Sequence, residues 1–532
     1  MIDRMQGVQA AGASGTVGRR LGPQIFFLLA LAIGGSAIAF LNLYLDGNLL
    51  ATIGLVFIIA FVVVSIFRPS ISLYLLVFFT LAVEQIVFDY GWTAGIPYHR
   101  NLNNIFPSLT GVAINPLELH FLCIIAGLIL RFIIIKEERV RVIAWKQLWL
   151  YIGSILFFVA YGVYKGGEFL PALWEIRSIM YLVLLMVIVP QVIRTESQVR
   201  HMIWAIIAGL GSRAIEVTRH FAGADFSIAK SGGGWGNHED AGMQASMLVF
   251  ILAMRLYKAD KKQNWALTFL LPLIVIAIIA SDRRTAYPVL AGALVLFGVL
   301  QPPAIQKKIM SIGWKLGIVF IVYCAVFWNS RSDSILVMPV KNIKSGIAGD
   351  DQAQAAESYT SNLYRNVENW DLQKMITERP LLGTGYGVKI DYYMPIPLLW
   401  DLGFYIPHNQ ILAVMAKTGM VGFTIFVFFY LSVIAEIGFA FGKLIEEKYF
   451  HAVLVLAGAA VVNHLVFSSF DIILTYSRTN VYLGALLGVA STVIALQRKK
   501  REEEAAAAPA EPPPTPERHW LLLQPPEKVV VG

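Results

Sequence analysis

Charge is what this sequence has little of. Only 15% of its 532 residues are Asp, Glu, Lys or Arg, while 57% are hydrophobic, and an ordinary soluble domain carries about 25% charged residues. With a mean hydropathy of +0.63, the chain reads as a polytopic membrane protein. Counting domains by length therefore has no meaning, because the bilayer rather than one buried core is the solvent. Cysteine is equally scarce. Cys123 and Cys324 both fall within apolar runs, so they spell neither a disulfide framework nor a metal site. There is no Walker A loop, no dinucleotide-binding glycine fingerprint, no HExxH and no GxSxG. No internal repeat is visible, nor a pair of broken helices with matched charges in the two halves, which repeat-built transporters often show.

What is present is apolar helix. A span needs about 20 apolar residues, and that rule yields about 14 spans (12 to 14) in an all-α chain. They are expected near 24–43, 48–67, 71–89, 117–135, 147–164, 173–193, 199–217, 240–257, 264–281, 285–303, 312–329, 411–441, 450–469 and 479–497. The net charge of +8 reads as basic residues in cytoplasmic loops rather than as nucleic-acid binding. Arg68, Lys136/Arg139/Arg141/Lys146, Arg194/Arg200, Lys258/Lys261/Lys262, Lys307/Lys308, Lys443/Lys448 and Arg498–Arg501 all fall on one side if both termini are inside, as the positive-inside bias requires. The expected organisation is a cytoplasmic N-terminal segment at 1–22 without an evident cleavable signal, a transmembrane domain at 23–497, and a disordered Ala/Pro-rich cytoplasmic tail at 498–532. The outer side receives the richer loops, above all 329–407, which is too long for a plain connector and should fold over the membrane face. In its middle, Leu363, Val367, Trp370 and Met375 share one helical face.

Polar chemistry gathers in a few places. His408 follows a proline and opens an apolar helix at the outer surface. Its imidazole suits proton transfer from an incoming hydroxyl, against the plainer reading of a helix cap. Asn409 follows it, and Gly419 and Gly422 would let another helix come close. Arg283 and Arg284 occupy an outer turn, against the positive-inside bias, and a phosphate or pyrophosphate would suit their forked donors; an ion pair with Asp282 is the other reading. Arg365 reads either as part of that site or as a solvated loop residue. Glu175 and Arg177 lie inside a span, as functional groups or as partners of a neighbouring helix. His238, Glu239 and Asp240 have no metal-ligand spacing and read as a solvated loop edge. Between 378 and 387 the sequence ERPLLGTGYG forms a glycine-punctuated turn.

Three of these motifs together resemble the bacterial O-antigen ligase and O-antigen polymerase superfamily. His408-Asn409, nine residues, then Gly419-x-x-Gly422 is similar to the ligase pattern H-[N/S/Q]-x9-G-x-x-G. RNVENW with ITERPLLGTGYG resembles the family's arginine-and-tryptophan helix and glycine turn, and SDRRTA its S-R-[G/T]-A. The resemblance covers about 175–441. It implies a glycosyltransferase, without metal or other cofactor, that transfers a glycan from undecaprenyl pyrophosphate at the periplasmic face of the bacterial inner membrane. The acceptor would be lipid A-core, another lipid-linked repeat or a protein hydroxyl, and the outcome inversion at the anomeric carbon. By the same resemblance His408 activates the acceptor, while Arg284 and Arg365 hold the pyrophosphate. Arg283 is the alternative in the arginine turn, and Asn409, Arg177, Gly419 and Gly422 give support. The competing class is a transporter or flippase of lipid-linked or anionic solutes, which would line a midplane pathway with charge. The three motifs should converge at the outer membrane face.

Overall fold

Inside hydrocarbon every backbone N–H and C=O must be paired within the chain, and a helix does this for apolar runs of any composition. The computed structural model follows that rule: among the described residues there are helices and no strand. It describes short pieces between 34 and 43, then 61–83, 98–99, 114–135, 139–227, 234–330, 332, 334–347, 355–394, 401–443 and 447–507. The expected spans at 24–43 and 48–67 and the tail beyond 507 fall largely outside these residues.

The helices are α1 (Pro69–Ala82), α2 (Pro116–Ile135), α3 (Trp145–Tyr164), α4 (Phe169–Val192), α5 (Glu196–Gly223), α6 (His238–Leu256) and α7 (Lys261–Ala280). They continue with α8 (Ala286–Leu300), α9 (Pro303–Phe327), α10 (Met338–Ile347), α11 (Ala355–Glu378), α12 (Gln410–Lys443), α13 (Lys448–Ser468) and α14 (Ser477–Ala507). Eight of the described helices are long and apolar enough to cross a membrane: α2, α3, α4, α7, α9, α12, α13 and α14. Helices α1 and α8 are apolar but shorter. The runs expected at 199–217 and 240–257 lie on α5 and α6, which carry charge.

Those charges are not at a solvated edge. Arg213 and Glu216 of α5, Glu239 and Asp240 of α6 and Arg478 of α14 are all buried. Arg213 reaches Glu216 at 2.5 Å and Asp240 at 2.9 Å, and Arg478 reaches Glu239 at 2.9 Å and Asp240 at 2.7 Å. The solvated-edge reading therefore fails for Glu239 and Asp240. Removing one partner of a buried pair leaves a charge without compensation, so this network locks α5, α6 and α14 together.

The segment between α9 and α12 packs against α12. Leu372, Met375 and Ile390 are buried with Ala416 of α12 in a small core of their own. The buried face of α11 is not the expected one, since Leu363 and Trp370 are exposed. It runs instead through Glu368, Asp371, Leu372 and Met375. The two carboxylates are buried because they accept backbone N–H groups from the returning chain: His408 on Glu368, Tyr393 on Asp371. Hydrophobic periodicity cannot foresee a helix face built partly of carboxylates with backbone to satisfy.

Candidate functional site

Helix α12 is interrupted at Gly419, whose φ of 59° and ψ of −167° are non-helical. An interruption frees carbonyls before it and N–H groups after it, which must find partners. The turn at 380–385 supplies them on both sides. Thr384 and Gly385 donate to the carbonyls of Ala416 and Lys417 at 3.1 and 2.7 Å, while Met420 and Val421 donate to those of Pro380 and Leu381 at 2.8 and 3.2 Å. At Gly419, then, the close approach is that of an extended segment rather than of another helix. At Gly422 it is the Phe158 ring of α3, 2.6 Å from where a β-carbon would stand. The same turn is tied to α3 through Tyr386 N–H on Phe158 O and to the start of α4 through Glu168 N–H on Gly387 O. Below it the buried Lys417 ammonium meets Glu175 at 2.9 Å and also donates to Val388 O. Glu175 further accepts the Gly387 N–H. Glu175 is thus a support of this turn. The turn wedges the base of the loop into the membrane helix.

Directly above the wedge sits His408. Capping of α12 falls to its neighbour: Asn409 Oδ1 accepts the Leu412 N–H at 3.1 Å, as an N-cap residue does. His408 is left for something else. Its main-chain N–H donates to Glu368 Oε2 at 2.8 Å, and its Nδ1 lies 3.3 Å from the same oxygen. Glu368 is buried while the imidazole is part-exposed, and Tyr364 packs edge-on against the ring at 5.5 Å between centroids. A carboxylate on Nδ1–H fixes the tautomer that leaves the Nε2 lone pair outward, as a proton acceptor. Sequence reasoning passed over Glu368. The available signal was its position three residues after Arg365, which puts both on one face of α11.

Arg365 and Arg283 lie within each other's field. Burial pushes the Arg283 guanidinium below its ordinary value, and Arg365 pushes it the same way, against Asp471, Tyr476 and Asp282. Arg283 Nε is buried and has no hydrogen-bond acceptor among the described residues. Arg283, Arg284 and Lys341 all add their charge to that felt by Asp282, whose Oδ1 takes the Asn342 amide at 2.9 Å. Arg177 turns elsewhere, its Nε and Nη2 on Glu118 of α2 at 2.6 and 2.5 Å, with Tyr181 beside them. The structure therefore joins α11 to the start of α12 through Glu368 and His408, three residues along α11 from Arg365, and puts Arg365 within the field of Arg283 in the turn before α8.

Comparison with known proteins agrees with this segment. A family model described as O-antigen ligase matches residues 267–427, from within α7 through the arginine turn and the outer loop to the interrupted part of α12. No curated protein matches the chain.

Proposed function

From the premise that the chain belongs to the O-antigen ligase-related superfamily through residues 267–427, we propose that it is a periplasmic-face glycosyltransferase. It moves a glycan from undecaprenyl pyrophosphate to an acceptor hydroxyl in surface-polysaccharide assembly, as a ligase or polymerase. The observation that carries this reading is the Glu368–His408 pair, one turn along α11 from Arg365, which lies within the field of Arg283. Glu368 holds the ring, and His408 Nε2 takes the proton of the acceptor hydroxyl as its oxygen attacks the anomeric carbon. The bond to the lipid diphosphate breaks on the opposite face, so the configuration inverts. Arg283 and Arg365, with Arg284 close by on the same turn, meet the charge that develops on the departing oxygen. Forked donors fixed in advance in a low-dielectric site stabilise such charge strongly, which is why the reading needs no metal.

His408→Ala, Arg283→Ala and Arg284→Ala variants expressed in the native host test this reading, with surface polysaccharide resolved on gels. The histidine variant should lower transfer by about 10²–10⁴-fold, and the arginine variants should lower it as well. Normal polysaccharide from stable, membrane-inserted His408→Ala protein would overturn the assignment. In a deletion strain, free long chains on the carrier lipid mark a ligase, and single lipid-linked repeats mark a polymerase.

A further inference from the structure

Asp471, the carboxylate within the field of both Arg283 and Arg365, is already engaged by a histidine. Its Oδ2 lies 2.9 Å from Nδ1 of His238; the carboxylate is buried, while about a third of the imidazole is exposed. Its Oδ1 accepts the Ile472 N–H at 2.8 Å, which fixes the carboxylate plane. With Nδ1 directed at Asp471, the second nitrogen, Nε2, makes no hydrogen bond to any described residue.

The backbone sets this imidazole against the arginine turn. Trp235 donates its N–H to Ala280 O at 2.8 Å. A β-carbon on Gly234 would stand 2.3 Å from Ser281 O, so the two segments touch backbone to backbone. His238 opens α6 three residues after Trp235. The next two residues, Glu239 and Asp240, have their charge taken up by Arg478 and Arg213. The site thus has a second imidazole–carboxylate pair, whose carboxylate lies within the field of Arg283 and Arg365, and the proposed reaction so far uses only the His408 pair.

We propose that His238 is a third ligand of the lipid diphosphate, donating its Nε2–H to the phosphate oxygen that leaves the sugar, with Asp471 holding its ring. This rests on the diphosphate reading above. As the acceptor oxygen bonds to the anomeric carbon, the electron pair of the broken bond stays on the diphosphate oxygen. The acceptor's proton passes to His408, and the His238 imidazolium meets the new charge on the leaving group. One histidine accepts a proton at Nε2, and the other, carrying a hydrogen on each ring nitrogen, donates a hydrogen bond from its own Nε2.

The probes are geranylgeranyl diphosphate and the uncharged geranylgeraniol, each titrated against purified full-length protein in detergent, with His238→Gln and Asp471→Asn alongside the wild type. His238→Gln should bind the diphosphate about tenfold more weakly than wild type, as for loss of a charge-assisted hydrogen bond, and the alcohol as tightly as wild type does. Asp471→Asn should show the same pattern with smaller amplitude, and it decides the matter where the histidine variant is not recovered folded. Variants that bind the diphosphate as wild type does, or that lose the same factor for the alcohol as a structural defect would, overturn the role of His238. Wild-type protein that does not bind the diphosphate at all overturns the diphosphate reading itself.

Discussion

Glu368 holds His408 at two atoms, the main-chain N–H and Nδ1, so it sets both where the histidine sits and which of its nitrogens faces outward. Replacing the carboxylate by an amide keeps the size and the contact with the main chain but lets an NH2 face Nδ1, which favours the wrong tautomer. Glu368→Gln should therefore lower kcat by about 10²–10⁴-fold, as for imidazoles deprived of their carboxylate, with KM for the lipid-linked donor within about twofold. Steady-state kinetics in reconstituted membranes check this. An unchanged kcat would reduce Glu368 to a loop anchor. At this scale the sequence carries the reactive groups plainly: His408 stands out by its place at a helix start, Arg283 and Arg284 by their place on the outer side. Their partners are less legible. Glu368 and Asp471 reach His408 and His238 across 40 and 233 residues, and a distance of that kind exists only once the chain has folded.

The broken helix and the glycine turn form one object at the scale of elements. A β-carbon on Gly385 would stand 2.2 Å from the Gly162 α-carbon, and the residue's φ of +86° already disfavours any L side chain. Gly385→Ala should therefore combine backbone strain of about 1–2 kcal/mol with overpacking of about 1–3 kcal/mol, and destabilise by roughly 2–5 kcal/mol in all. Gly438→Ala, whose nearest neighbour would be Leu300 Cδ2 at 3.8 Å, is the neutral control. Thermal unfolding of both in detergent separates them; equal melting temperatures would mean that the wedge does not hold α12. The turn was legible as a turn from its three glycines. That it threads the interruption of α12 was not, because Gly419 reads in sequence like any small residue in an apolar helix. The face of α11 was misleading for a related reason: hydrophobic spacing counts side chains, and this helix is held down by carboxylates that pair with backbone.

For the molecule as a whole, the buried charges of α5, α6 and α14 bear on what kind of machine it is. A transporter needs charge that can change partners along a midplane path, whereas here Arg213, Glu216, Glu239, Asp240 and Arg478 are paired with one another. They lie at the first residues of α6 and α14 and in the second half of α5. That is the end of the bundle where His238 and the arginine turn sit, so the network reads as the floor of a fixed site. By the positive-inside bias the opposite end, with its basic loops, is expected in the cytoplasm, and this assignment can be tested independently of any activity. In a background carrying Cys123→Ser and Cys324→Ser, Leu363→Cys on the exposed side of α11 should react with a membrane-impermeant maleimide in intact spheroplasts. Arg498→Cys, on the exposed end of α14, should react only after permeabilisation. The reverse pattern would turn the molecule over. His408 and the arginines would then face the cytoplasm, where a periplasmic lipid-linked donor could not reach them, and the proposed reaction would fall with the topology.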